Sequence, residues 1–158
     1  MRDCKKLQEE ILHTYLQGGK TIACAESCTG GLVAKLLTDL SGSSAVFVGG
    51  FVTYCDAMKV AMLGVSQTTL DAHHAVSAEV AIEMARGAVK KTGATVAVST
   101  TGVAGPSLDD SGKPVGTVYI GLACGDETAA LECHFDGTRE DVRMQAAVRA
   151  LELLLNRA

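Results

Sequence analysis

Ser27 and Cys28, two side chains of nucleophile type, stand side by side in the run Ala25-Glu26-Ser27-Cys28-Thr29-Gly30-Gly31. The apolar-leaning run Thr21-Ile22-Ala23-Cys24 before it predicts a strand, and the periodic run Leu32 to Leu40 after it predicts a helix. The pair therefore falls at a strand-to-helix turn. Gly30 and Gly31 let the backbone approach a ligand closely, and free N–H groups at a helix start favour an anion or a developing oxyanion. Such a turn suits acyl transfer on a phosphorylated substrate. Small-residue turns also join strands to helices with no chemistry attached, so the motif alone leaves both readings open.

A serine hydroxyl needs a base to become a nucleophile. Four histidines are available: His13, His73, His74 and His134. His13 falls on the first predicted helix and His134 on the polar side of a strand, which are solvated positions. His73-His74 sits in a connector before a helix, and a Ser-His-Asp arrangement through it is one route. Lysine is the other. In Phe51-Val52-Thr53-Tyr54-Cys55-Asp56-Ala57-Met58-Lys59 a phenol and an amine leave a strand and enter a short helix. Burial destabilises an ammonium ion, so a desolvated Lys59 takes a proton from Ser27, whereas a solvated surface lysine does not. Thr100-Thr101-Gly102-Val103-Ala104-Gly105-Pro106 is a third loop of hydroxyls and small residues after a strand. If the three strands are parallel neighbours, all three loops meet at their carboxyl ends, where open α/β sheets bind ligands. Cys28 is the competing nucleophile, because a thiol at a helix start is activated as thiolate.

The elements that must position these loops can be read from periodicity. Leu7, Ile11, Leu12, Tyr15 and Leu16 form one helical face, ended by Gly18-Gly19. Leu32, Val33, Leu36, Leu37 and Leu40 stripe the second helix. Ala45 to Tyr54 is β-rich and interrupted by Gly49-Gly50, which predicts a strand with a bend or bulge. Gly64 ends the helix carrying Lys59, and Ser66 or Thr68 begins another short turn. Ser77 caps a helix with Val80, Met84, Ala85 and Ala88 buried, running to Gly93. Thr95 to Thr100 is a strand. Val118, Ile120 and Leu122, then Leu131, Cys133 and Phe135, alternate on either side of Gly125-Asp126, as in an antiparallel hairpin. Thr138 caps the last helix, striped by Met144, Val148, Leu151 and Leu155. Helices alternating with strands, then a hairpin, predict an α/β fold: a three-layer α/β/α sandwich around a mixed, mostly parallel sheet.

With 158 residues the chain reads as one domain over 1–158. The net charge of −4, scattered Lys and Arg, and absence of tryptophan speak against nucleic acid as partner. The amino-terminal segment lacks the apolar centre of a signal peptide, and no run matches a membrane span, so a cytoplasmic protein without membrane association is expected. The six cysteines form no CxxC pair and have no His-x-x-x-His partner, which reads as reduced thiols without a metal.

Taken in order, the Ser27 motif, Val52-Thr53-Tyr54 with Lys59, Ala75-Val76-Ser77, Thr101-Gly102-Val103-Ala104-Gly105-Pro106, Lys113-Pro114-Val115-Gly116-Thr117-Val118, and Arg139 with Arg143 resemble the CinA C-terminal domain family, which includes nicotinamide-nucleotide amidases. The likeness runs from about Lys5 to the carboxyl terminus. It implies hydrolysis of the carboxamide of nicotinamide mononucleotide, releasing nicotinic acid mononucleotide and ammonia, with no cofactor and no metal. Carried over, Ser27 is the nucleophile, Lys59 the general base, and Tyr54 and Thr101 position the dyad or the amide beside Gly102. Thr29, Gly30 and Gly31 bind an oxyanion or phosphate through their backbone. Arg143, with Arg139 the lesser candidate, meets the phosphate. A homo-oligomer is also implied. The alternative in the same family is a non-catalytic nucleotide-binding or interaction domain. The chain departs from the family pattern at His74 (usually Gly), at Cys55-Asp56 (usually Ser-Asn), at Ser107-Leu108-Asp109-Asp110 (usually a glycine pair) and at Gly137-Thr138-Arg139 (usually a Gly-Asp-Arg-like turn). The acidic pair at 109–110 is expected to repel an anionic substrate.

Overall fold

In the computed structural model, which describes residues 3–158, the apolar stripes become six helices and five strands around one sheet. They run α1 (Cys4–Gly18), β1 (Ile22–Glu26), α2 (Leu32–Thr38), a 3-10 turn (Ser43–Ala45), β2 (Phe47–Val52), α3 (Asp56–Leu63), α4 (Gln67–His73), α5 (Ala78–Thr92), β3 (Val96–Gly102), β4 (Thr117–Cys124), β5 (Glu127–His134) and α6 (Arg139–Leu155). The sheet order is β2-β1-β3-β4-β5. β1 pairs in parallel with both β2 and β3, and the β3-β4 and β4-β5 pairs are antiparallel. Only β4 runs against the other four.

Alternation along the central strands divides the core in two. Ile22, Cys24, Val96 and Val98 join Leu7, Tyr15, Val33, Val148 and Leu151 beneath α1, α2 and α6. Ala23, Ala25 and Ala97 face Leu63, Leu70, Val80 and Met84 beneath α3, α4 and α5. Every residue of β1 is buried, as a strand covered on both faces requires. This is the three-layer sandwich expected from the sequence. Among the described residues no helix is long and apolar enough to cross a membrane.

Most boundaries lie near their sequence positions. Gly19, Gly64 and Gly93 end α1, α3 and α5 in the left-handed conformation. Ser77 accepts from Val80 N–H, and Thr138 and Asp141 form a reciprocal capping box. The interruption in β2 is a register shift: Ile22 pairs with Phe47 and Ala23 with Gly49, so Val48 bulges. Three details differ. β1 continues through Ala25 and Glu26, because Glu26 finds partners at the next helix. α2 stops at Thr38, two residues short of Leu40. Leu16 faces solvent, and α1 buries Leu7, Ile11 and Tyr15 instead.

β1, β2 and β3 are parallel neighbours, so the loops after Glu26, Val52 and Gly102 leave the same edge. The helix after β1 covers one face and the helices after β2 cover the other, which opens a crevice at that edge. A fourth segment, His74–Ser77, joins its wall. His74 has φ 63° and ψ 168°, a region that glycine populates readily and a side chain enters only with strain. The bonds from His74 N–H to the Leu70 carbonyl (2.9 Å) and from Ser77 Oγ to the His74 carbonyl (2.8 Å) hold it there. We expect His74→Gly to raise the unfolding free energy by about 1 kcal/mol. Urea unfolding of the two proteins checks this; an unchanged or lower midpoint contradicts it.

Candidate active site

Lys59 occupies the fourth position of α3, and side chains on a helix lean toward its amino terminus. The aliphatic stem therefore runs back over the first turn and delivers Nζ to the end of β1 and β2. There Nζ donates to Ser27 Oγ at 3.1 Å and to the Thr53 carbonyl at 3.0 Å. The residue is 1% exposed. Asp56 is the nearest acid, but its Oδ1 is 3.8 Å away and its side chain is 59% exposed. The loss of hydration outweighs that solvent-screened attraction, so burial holds the amine below its ordinary value, with Asp56, Cys55 and Cys28 opposing the shift.

Ser27 is itself nearly buried, at 8% exposure. Its N–H is bonded to the Thr100 carbonyl at 2.9 Å, which ties the turn to β3. The preceding residue, Glu26, organises the start of α2 and is 1% exposed. Its Oε2 accepts from Thr29 Oγ1 (2.5 Å), Gly31 N–H (3.1 Å) and Val33 N–H (3.0 Å), and its Oε1 from Ala34 N–H (2.8 Å). These donors at a helix amino terminus replace the water that the buried side chain has lost. Thr29 Oγ1 also shares a 2.7 Å hydrogen bond with Thr100 Oγ1, linking the network to β3 again. Gly30 and Gly31 have φ of 59° and 104°, the conformations that turn the chain from β1 into α2 around this carboxylate.

A cleft of about 220 Å³ opens over the pair, lined by Ser27, Cys28, Tyr54, Asp56, Lys59, Ala75, Val76, Thr101, Gly102, Ala104, Asp109 and Arg139. Six of the residues predicted from sequence thus meet: Ser27, Lys59, Tyr54, Thr101, Gly102 and Arg139. Thr101 Oγ1 donates to the Ala75 carbonyl at 2.8 Å and fixes the 74–77 wall. Tyr54 is 60% exposed at the rim, and its hydroxyl accepts from Arg139 at 2.7 Å. No hydrogen bond joins Tyr54 to Ser27 or Lys59.

The remaining predicted residues lie behind the cleft. Gly31 N–H is bound to Glu26, Gly30 N–H to the Ser27 carbonyl (3.0 Å) and Leu32 N–H to the Thr29 carbonyl (3.1 Å), so none of them is a free anion donor. Arg143 does not line the cleft. Its Nε donates to the Cys28 carbonyl (3.1 Å) and its NH2 group to the Thr29 carbonyl (3.0 Å), which staples the turn to α6. Arg139, one turn earlier and ranked second by sequence, is the arginine at the cleft, braced also by the Gly105 carbonyl at 2.7 Å.

The competing nucleophile and base are disfavoured. Burial pushes the Cys28 thiol up to about 12, and the nearby Lys59 and Arg143 only partly offset it. No histidine lines the cleft; His73 lies 3.7 Å from Glu79, and both side chains are largely exposed. Among the described residues no three His, Cys, Asp or Glu side chains are grouped to hold a metal ion.

The sandwich defines an α/β/α protein whose cleft, at the carboxyl edge of the sheet, holds a nearly buried serine hydroxyl against a buried lysine amine. Comparison with known proteins is more specific. The CinA C-terminal domain matches residues 4–158, and the chain belongs to that family. A nicotinamide-nucleotide amidohydrolase PncC of Enterobacter agglomerans is 51% identical over 151 residues, covering 95% of this chain and 92% of that protein. One of the same name from Escherichia coli K12 is 47% identical, covering 94% and 91%. A CinA-like protein of Syntrophomonas wolfei is 52% identical over 86% of this chain, which spans 33% of that relative's length. Among solved structures, a CinA superfamily protein of Escherichia coli superposes with TM-score 0.95 at 33% identity, covering 99% of this chain and 91% of the other. A competence/damage-inducible protein of Agrobacterium tumefaciens gives 0.93 at 39%, covering 99% and 97%.

Glu26 is the residue that sequence reasoning passed over, although an acid just before a Thr-Gly-Gly helix start is a capping signal. Glu26→Gln keeps the shape but turns an amide N–H toward backbone donors. We expect it to lower stability by about 2–3 kcal/mol. Denaturant unfolding measures this, and a loss under about 0.5 kcal/mol contradicts the network's importance.

Proposed function

We propose that this chain hydrolyses the carboxamide of nicotinamide mononucleotide to nicotinic acid mononucleotide and ammonia, with Ser27 as nucleophile and Lys59 as general base. The observation that carries the reading is the 3.1 Å contact between Ser27 Oγ and a lysine amine held out of water. The PncC relatives supply the reaction by their name.

In its neutral form Lys59 accepts the hydroxyl proton as Oγ attacks the carboxamide carbon. The Thr53 carbonyl keeps the amine in place, so the lone pair develops toward Ser27. We assign the oxyanion to the backbone N–H of Cys28, the residue after Ser27 that lines the cleft. Protonated Lys59 then gives its proton to the departing nitrogen, and ammonia leaves an acyl-Ser27 ester. Lys59, neutral again, removes a proton from water, which hydrolyses the ester and restores the serine. Arg139 uses only part of its five-donor fork on Gly105 and Tyr54, and the rest meets the phosphate.

Ammonia release from nicotinamide mononucleotide tests the reading. Ser27→Ala and Lys59→Ala are each expected to lower kcat/KM by about 10³-fold or more. Binding of the nucleotide with no ammonia from the wild type would favour the non-catalytic alternative, and turnover surviving in Ser27→Ala would remove the nucleophile assignment. The pH dependence has a definite sign. The base works deprotonated and burial lowers its pKa, so kcat/KM rises with pH through a midpoint below the ordinary lysine value of 10.5. A rate that falls across this range contradicts Lys59 as base.

A further inference from the structure

Two connectors wall the cleft without belonging to the sheet. One is the 74–77 segment, whose Ala75 and Val76 line it. The other is the loop from β3 to β4, which lines it with Ala104 and Asp109. The ends of that loop are zipped together: Val103 N–H donates to the Thr117 carbonyl at 2.9 Å, and Gly116 N–H to the Val103 carbonyl at 2.8 Å. Between those ends, the side-chain hydrogen bonds of Asp109 and Ser111 stay within the loop. Lys113 does not. Its Nζ crosses to the other wall, donates to the Val76 carbonyl, and stands 5.0 Å from the centre of the Tyr119 ring. Tyr119 pairs with Thr101 across the sheet and packs with Val76 and Val103 in a small buried cluster, so the ring is a fixed platform. Among the described residues no other side chain of the loop reaches the 74–77 wall by a hydrogen bond.

We infer that Lys113 is a positioning residue that ties the 105–116 loop to the 74–77 wall and holds the cleft at the width its ligand needs. A charge-assisted hydrogen bond and the negative face of an aromatic ring both attract an ammonium ion, so one side chain fastens the loop to the opposite wall and to the sheet. Thr101 secures the same wall from the sheet side through the Ala75 carbonyl. Lys113 does not line the cleft, so its effect passes through the walls. A loop left loose must be ordered when ligand binds, and that ordering is lost affinity. Ser27, Thr53 and Lys59 belong to neither wall, so the geometry of the Ser27 and Lys59 side chains does not depend on the tie. The kinetic consequence rests on the amidase reading above; the tie itself does not.

The test pairs backbone hydrogen exchange, read by mass spectrometry, with ammonia-release kinetics in wild type, Lys113→Met and Lys113→Arg. Methionine removes the charge, and arginine returns a cation to the ring and a donor to the carbonyl. In Lys113→Met, exchange at 74–77 and 104–116 is expected to quicken about 5-fold or more, with the 27–31 turn unchanged. KM for nicotinamide mononucleotide is expected to rise about 5-fold, at a kcat within about twofold of wild type. Lys113→Arg is expected to restore both. A KM that rises while exchange stays unchanged means a direct ligand contact, and exchange that quickens while KM stays unchanged means a purely structural tie. Either result overturns the inference, as does a Lys113→Met protein equal to wild type in both. If the wild type releases no ammonia, the amidase reading fails by itself. Exchange together with the affinity for nicotinamide mononucleotide, measured by calorimetry in the same three proteins, then decides the role of Lys113.

Discussion

A primary amine kept out of water must find its hydrogen-bond partners inside the protein, and the charged form is the costlier one to keep there. Lys59 meets this constraint with one hydroxyl and one carbonyl. Both acceptors come from the ends of neighbouring parallel strands, Ser27 after β1 and Thr53 after β2. The pairing of those strands, in which Thr53 N–H donates to the Glu26 carbonyl at 2.8 Å, therefore sets the distance between the Ser27 hydroxyl and the Lys59 amine. The helix start at Cys55 sets how far back the lysine stem reaches. Few changes in this neighbourhood leave the geometry intact.

A buried acid supports the buried amine. Glu26 draws the opening N–H groups of α2 onto its carboxylate, and this closes the turn on which Ser27 stands. Arg143 grips the outside of the same turn by two carbonyls. Ser27 is thus held between an acid beneath it and an arginine behind it, neither of which lines the cleft. Rigid support of this kind is what a reaction needs when its reacting atoms must meet within a few tenths of an ångström. The departures from the family pattern gather instead on the rim, where Cys55-Asp56 follows the exposed Tyr54 and the Ser107–Asp110 loop supplies Asp109.

The layers of the fold were legible because apolar periodicity fixes which face of each element is buried. Val80, Met84 and Ala88 could only point inward, and Gly64 and Gly93 could only end helices. The meeting of Ser27, Lys59 and Thr101 was legible from the strand-to-loop pattern together with the family likeness. Partner choice was not. Arg139 and Arg143 lie four apart on one face of α6, so spacing cannot tell which one reaches the cleft and which is taken by carbonyls. The glycine N–H groups looked free because nothing in the sequence shows where the Glu26 side chain turns. The strain at His74 was foreshadowed by its standing where the family has glycine, but its φ is a property of the folded connector alone.

The proposed chemistry depends on the state of one amine. Titration of the Lys59 side-chain nitrogen by NMR, in protein labelled with ¹⁵N-lysine and assigned with Lys59→Met, measures it without substrate. This resonance is expected to titrate below 10.5, the ordinary lysine value. A value at or above 10.5 would mean that the amine beside Ser27 is a stabilised ammonium ion, and it would contradict Lys59 as the base.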